Sequence, residues 1–435
     1  MQRSLLSVIV GTFTLRFSTG LTGALLVYYL ADLPRHGGPT VDATVVGVFA
    51  AAFFAAELVL SPPFGLLSDR VGHHRMMQVG PLFGAIAVIL TWLTTSLPVI
   101  GVTRLLEGSS TAASVPSILG FIAMATAGDE LLRGRAAARF EGATLAGLGA
   151  GLVAAGPLYQ AIGREGFLLN ALFYGISLAI YRFGVAEPEP EATAAVHATH
   201  PGLTRYLEIL RSSSVWLLAP TWIAINASLG LWTSQVIFQL VKEPPPRFGD
   251  QYLMGLADPV QVSLGLAVAL IVFFLGLAFW GERFKRFRRT TIIFFGVCGG
   301  AVLIVAATLV NHSAEMPAAV RLVEALAAGV GLFVLAGATP AALGLLADVS
   351  EAFPNDRGAI MGVYSVFLAL GQITGSLLGG RAADAMGIDG LLVATLILLV
   401  IALIPLNRLR TFEHRLSPSP AIVPGHDLPP AVSSG

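Results

Sequence analysis

The sequence predicts an all-α membrane protein, with twelve transmembrane helices in two six-helix bundles. Three observations carry this. First, 55% of the 435 residues are hydrophobic and only 12% are charged, with mean hydropathy +0.77, whereas a soluble domain carries about 25% charged residues. That much apolar surface cannot hide in one aqueous core, so lipid is the solvent it fits. Second, apolar runs of the roughly 20 residues that cross a bilayer recur along the chain. Third, the second half of the chain repeats part of the first.

In order, the runs fall at 5–30, 43–66, 76–96, 98–126, 139–162 and 166–184, then at 214–240, 259–281, 290–310, 318–347, 356–382 and 388–407. The first run reads as a membrane helix rather than a cleaved leader, because Arg16 interrupts it and further spans follow. Residues 1–184 form the N-terminal bundle and 214–408 the C-terminal one. Residues 185–213 are a polar cytoplasmic linker in which Glu187, Glu189 and Glu191 alternate with prolines and alanine. Residues 409–435 hold Ser, Pro and His without apolar periodicity and read as a disordered cytoplasmic tail. Under a shift of 224 residues, Pro116 meets Pro340, Leu119 meets Leu343 and Gly120 meets Gly344. Arg133-Gly134 meets Arg357-Gly358, and Gly147, Gly151 and Gly156 meet Gly371, Gly375 and Gly380. Spans four and five therefore recur as spans ten and eleven.

Basic residues set the orientation. With both termini in the cytoplasm, 18 of the 26 Lys and Arg side chains fall on the cytoplasmic side and 6 on the outer side. The expected location is the cell (inner) membrane, as a multi-pass monomer. Net charge is zero, which implies no nucleic-acid partner. The single cysteine, Cys298, excludes a disulfide within the chain and reads as a small buried apolar residue. No zinc-ligand spacing, phosphate-binding glycine loop or nucleophile elbow is present, so neither an enzyme nor a cofactor or metal site is expected.

The sharpest local signal is Gly-Leu-Leu-Ser-Asp-Arg-Val-Gly-His-His-Arg at 65–75, between the second and third runs. It resembles the signature loop of the major facilitator superfamily of secondary transporters. Gly65, Asp69, Arg70, Gly72 and Arg75 match that pattern, and His73 departs from its usual base. The resemblance implies the major facilitator fold, with two halves that rock about a site near mid-membrane. It also implies a gating loop. Asp69 would dock at the N-terminus of span eleven, near Asp356-Arg357-Gly358, where the helix dipole favours a carboxylate by about 0.3–1 kcal/mol. Gly65 and Gly72 would let helices approach closely. A plain positive-inside loop accounts for Arg70 and Arg75, but not for Asp69 and the glycines.

Four charges inside spans are the candidates for coupling or substrate binding. Arg104-Leu-Leu-Glu107-Gly108 in span four resembles the family's Arg-x-x-Gln-Gly pattern, common in proton-coupled members, with Glu107 in place of Gln. Three residues apart, Arg104 and Glu107 share a helix face, and the cost of charge in lipid turns that face inward. The pair is either a coupling element or a structural ion pair. Arg16 and Glu57 lie at similar depth in spans one and two. They form either a salt bridge, or a site where Glu57 titrates while Arg16 attracts an anion. Burial disfavours a carboxylate's charge and a nearby arginine favours it, which is the balance a proton carrier needs.

Gly147, Gly151, Gly156 and Pro157 in span five resemble the Gly-Pro motif associated with drug:proton antiporters, although Leu158-Tyr159-Gln160-Ala161 follows where more glycines are expected. Read plainly, they are small residues for close helix packing with a proline that bends the helix. The second half is poorer in charge. Trp222, Asn226, Gln235, Tyr364 and Gln372 are its candidates for an aromatic and amide cavity wall.

The resulting expectation is a secondary active transporter that exports a lipophilic or amphipathic small molecule by alternating access, driven by protons. The alternatives are an importer or lipid flippase on the same fold, or a non-transporting receptor or assembly factor.

Overall fold

The structure, a computed structural model, describes residues 2–186, 215–351 and 357–416. Among these residues every regular element is helical. The first half holds α1 (Gln2–Asp32), α2 (Ala43–Val71), α3 (His73–Leu93), α4 (Leu97–Ala125), α5 (Glu130–Ile162) and α6 (Gly166–Gly184). The second holds α7 (Val215–Val241), α8 (Pro259–Glu282), α9 (Arg289–Asn311), α10 (Ala318–Leu335), α11 (Ala338–Glu351), α12 (Arg357–Leu403) and α13 (Leu406–Leu416). Nine stretches of the described residues are long and apolar enough to cross a membrane. Two of them, Leu131–Gly184 and Ser365–Thr411, are 54 and 47 residues long and hold two crossings each. They divide at Gly163 and Gly387, whose φ values of 60° and 64° suit glycine. With α7, 27 residues long and uncharged, this is consistent with twelve crossings.

The outward faces are apolar. On α10, Leu322, Val323, Leu326 and Val330 are all exposed, as expected where acyl chains replace water. Helix starts follow ordinary capping chemistry. Asp129 accepts the Leu132 N–H at the head of α5 (2.8 Å), and Asp258 forms a capping box with Gln261 at the head of α8.

Within the first half α1 packs on α5 and α6, and α4 packs on α2 and α3. Within the second, α7 packs on α12 and α9 on α10. The halves meet along two seams, α2 against α12 and α5 against α8. The end that bears the α2–α3 and α8–α9 turns is called the basic end below, and the opposite end the far end. Among the described residues, every hydrogen bond that crosses between the halves lies toward the far end.

The repeat read from the glycines is built into the packing. Gly147 abuts Phe13 O and Arg16 Cβ of α1, and its counterpart Gly371 abuts Ile223 O and Asn226 Cβ of α7. Gly151 leaves no room for a Cβ beside Phe17 O, nor Gly375 beside Ala227 O. Gly156 meets Pro259 at the start of α8, and Gly380 meets Ala43 at the start of α2.

Several elements differ from expectation, each for a physical reason. Helix α5 begins at Glu130, not near 139, because helix continues past the hydrocarbon where a hydropathy scan stops. Span ten is two helices, broken at Ala336-Gly337. There Gly337 is wedged on Trp280, and a Cβ would lie 2.6 Å from the indole Cγ. The tail expected to be disordered from 409 starts as helix, since Leu406 and Leu409 are buried against the second half. This helix is amphipathic and short, so a search for long apolar runs passes over it. Cys298 is exposed. It lies on the apolar stripe of α9 with Phe294, Val302, Val305 and Leu309, because a membrane helix hides apolar groups in lipid as readily as in protein. The linker, apart from Val185 and Ala186, lies outside the described residues.

Candidate functional site

The charged interior of the first half is built by α1, α2 and α4. On α4, the Arg104 guanidinium donates to Glu107 Oε2; Arg104 is 7% exposed and Glu107 2%. The pair is held against α2. The Arg104 guanidinium carbon lies 5.0 Å from the centroid of the Phe53 ring, and Gly108 leaves no room for a Cβ beside Phe53 O. Glu107 Oε1 and Arg104 Nε have no hydrogen-bond partner. The pair is therefore tight but not saturated, with one acceptor oxygen and one N–H to spare.

Glu57 lies one helical turn beyond Phe53 on the same helix and is half-buried. Arg16 is the cation that acts on it electrostatically, yet no ion pair within 4 Å joins them among the described residues. Arg16 is also half-buried, with its Cβ over Gly147. Helix α2 thus carries Phe53 toward one arginine and Glu57 toward the other. The two pairs belong to one region of the bundle, one closed and one open.

The 65–75 segment is mostly helix. Asp69 and Arg70 end α2, Gly72 alone makes the turn, and His73 opens α3. Gly72 has φ 101°, so it serves the turn, while a Cβ added at Gly65 would make only ordinary contact with Pro116 Cβ at 3.6 Å. His73, the departure from the family pattern, sits on Gly120 of α4. Its Nδ1 is 2.6 Å from Ser68 Oγ and its Nε2 is 3.8 Å from Asp69. Arg70 and Arg75 are exposed.

On α5, Gly147 and Gly151 seat α1, whereas Gly156 belongs to the seam with α8, where its N–H donates to Ser263 Oγ (3.0 Å). Pro157 is exposed. In the second half, Trp222 is packed in the core with Trp280, Ile292 and Phe367. Asn226 Nδ2 donates to Trp222 O of its own helix (2.9 Å). Gln235 is fully buried and donates across the seam to Ala43 O (3.0 Å). Gln235 Oε1 and Gln372 Oε1 are buried acceptors without partners. The Tyr364 side chain lies outside the described residues.

Two groups escaped sequence reading. Glu324 in α10 has a buried Oε2 with no hydrogen-bond partner, and a scan for any charge inside a span would have found it. Asp384 lies two residues beyond the apolar run of span eleven and belongs to no motif read from the sequence. In the structure it binds the head of α2 in the other half.

The chain is similar to multidrug resistance protein 1 of Bacillus subtilis, 25% identical over 349 residues that span 78% of this chain and 81% of that protein. Multidrug resistance protein 2 of the same organism is 23% identical over 345 residues, 78% and 80% of the two chains. The quinolone resistance protein NorA of Staphylococcus aureus is 24% identical over 123 residues, 28% of this chain and 30% of that one. Among solved structures, the nucleoside transporter NupG shares the fold, with a TM-score of 0.70 at 13% identity over 94% of this chain and 99% of its own. The sequence profile of the Major Facilitator Superfamily matches residues 8–255, more than half of the chain, and the chain belongs to that superfamily of membrane transporters.

Proposed function

We propose that the protein exports a lipophilic or amphipathic small molecule across the cell membrane by alternating access, driven by proton entry. The basic end and both termini face the cytoplasm, and Asp69 is the latch at that end. The observation that carries the reading is the charged interior of the first half. Two carboxylates, Glu57 and Glu107, each lie beside an arginine on one side of the bundle, in a chain whose curated relatives are named for multidrug resistance. Charge at that depth is costly and marks a coupling path more often than a scaffold. A sugar site would need many more hydrogen-bonding groups than the second half offers.

The test uses sealed vesicles, an imposed pH gradient and a fluorescent lipophilic cation as probe. The wild type should move the dye uphill only with the gradient. Glu57→Gln, by removing the titratable group of the open pair, should still bind dye without moving it uphill. Gradient-driven dye movement in the opposite sense would make the protein an importer. Movement of a fluorescent lipid between leaflets, with no dye transport, would make it a flippase. No movement of either would leave the receptor or assembly-factor reading.

A further inference from the structure

The seam between α2 and α12 is closed at its far end by a carboxylate from the other half. Asp384 follows the last turns of span eleven. Its Oδ1 accepts the Ala43 N–H (2.9 Å), and its Oδ2 accepts both the Thr44 N–H (2.8 Å) and the Thr44 hydroxyl (2.5 Å). These are the first two amides of α2, donors that no helix can satisfy internally. The third amide, Val45 N–H, is capped from within the half by Asp42 (2.8 Å). A carboxylate here gains from both the bare amides and the positive end of the helix dipole.

Basic side chains brace the contact. Lys242 Nζ donates to Val41 O across the seam (2.6 Å), and Arg247 donates to Asp384 O (2.5 Å). Burial pulls Lys242 below the usual lysine range, and the carboxylates of Asp384 and Asp42 oppose that pull. Gly47 and Gly380 bring the backbones of α2 and α12 together just inside this contact. A small cavity of about 40 Å³ lies beside Asp384, lined also by Ala43, Lys242 and Arg247.

Among the described residues, the other seam has no such device. Where α5 meets α8, the bonds between halves are neutral, Gly156 N–H to Ser263 Oγ and Tyr28 OH to Pro259 O. Helix α8 is capped by its own Asp258, and the residue matching Asp384 under the 224-residue repeat is Gln160. The charged hydrogen bonds that Asp384 and Lys242 make across the interface lie on the α2–α12 side, toward the far end.

We infer that Asp384 is the far-end latch of the transport cycle, a positioning residue that holds the closed far end by capping α2 and must leave it for that end to open. Helices α2 and the first part of α12 run antiparallel, so each ends in a carboxylate placed toward the start of the other. The pair acts as a see-saw with a carboxylate at each end, and Asp384 caps α2 in this structure. This rests on alternating access as proposed above.

The test measures far-end distances by paired spin labels at Arg35→Cys and Glu315→Cys in a Cys298→Ser background. Arg35 and Glu315 are exposed and belong to opposite halves. Loss of a helix cap of this kind amounts to roughly a tenfold change in an equilibrium. Asp384→Ala should raise the ratio of long to short distances about tenfold, and Asp384→Asn and Thr44→Val by less, with reactivity of a thiol at Ala383→Cys rising in parallel. Asp384→Asn keeps shape and one acceptor oxygen, so it carries the test if the alanine variant does not fold. If the wild type shows both distances while these variants keep its ratio, the latch is refuted, even where their thermal midpoints fall, since that marks a structural cap alone. If the wild type shows a single far-end distance with and without dye and pH gradient, alternating access itself fails.

Discussion

Replacing Arg104 by methionine would leave Glu107, 2% exposed, with neither oxygen hydrogen-bonded. Breaking a buried pair from one side costs about 3–5 kcal/mol, less whatever the carboxyl recovers by taking up a proton. The lost packing over Phe53, 5.0 Å from the guanidinium, adds about 0.5–2 kcal/mol. Glu107→Met is the mirror case and is harsher, because the stranded guanidinium cannot shed its charge. The double variant removes both charges and fills the space with apolar atoms, an exchange that is often neutral or stabilising. A double-mutant cycle should therefore give a coupling of about 3 kcal/mol or more, with the double variant close to wild type in stability. Unfolding in mixed detergent reads the stability, and dye transport under a pH gradient in sealed vesicles reads the function. The double variant should be folded and unable to drive uphill transport. Single variants within about 1 kcal/mol of wild type would refute a paired, buried site. Full uphill transport by the double variant would remove the pair from coupling and leave Glu57 as the carrier. Glu107→Gln is the gentle member of the series, since it restores the family's usual residue and keeps an acceptor for Arg104. Its stability should hold, so its transport isolates the loss of the titratable proton.

Gly151→Leu would drive a side chain into the Phe17 carbonyl and within 2.6 Å of Leu21 N, against backbone that cannot swing away; overpacking of this kind costs about 1–3 kcal/mol or more. Yield and thermal midpoint should fall, while Gly134→Ala, at a helical glycine with no atom within 4 Å of the added Cβ, should leave both unchanged or slightly raised. Orientation is read with an impermeant maleimide on intact cells in a Cys298→Ser background. Arg35→Cys at the far end should be labelled and Arg286→Cys at the basic end protected, and the reverse pattern would invert the topology.

What could be read from the chain followed from how locally each feature is encoded. Spans are written in runs of apolar residues, and the glycine register of spans four and five is written again 224 residues later, so their positions were open to reading. The Arg104–Glu107 pair is three residues apart on one helix, and spacing alone placed both on one face. Arg16 and Glu57 are on different helices. Depth could be compared from the sequence, but contact depends on helix rotation and tilt, and in the structure the two stay more than 4 Å apart. Asp384 was beyond reach for a further reason. Two of its three partners are backbone amides 341 and 340 residues away, and an amide carries no residue identity for a pattern to find. Gln235 was read as cavity wall, and its bond across the seam was hidden for the same reason, since its partner is the carbonyl of Ala43.

The repeat also explains why the charges sit where they do. A Cβ added at Gly147 would lie 2.9 Å from Arg16 Cβ, and one added at its counterpart Gly371 would lie 2.5 Å from Asn226 Cβ, so the two halves offer matched positions facing their first helices. One half fills that position with a permanent cation and the other with an amide that bonds its own helix. Steric needs at the two glycines are the same, so packing does not account for the difference in charge. A scaffold indifferent to function would carry the cheaper amide twice, because each interior charge costs several kcal/mol in lipid. The cation is retained where Glu57 is near enough to feel it and far enough not to be neutralised in a closed pair. Arg16→Asn would make the halves alike at this position. If the asymmetry serves coupling, that variant should keep the fold, since Gly147 already accepts a Cβ there, and should lose dependence of dye movement on the pH gradient. Loss of folded protein would instead show that Arg16 holds the first half together. Undiminished gradient-driven transport would show that the charge of Arg16 is not used.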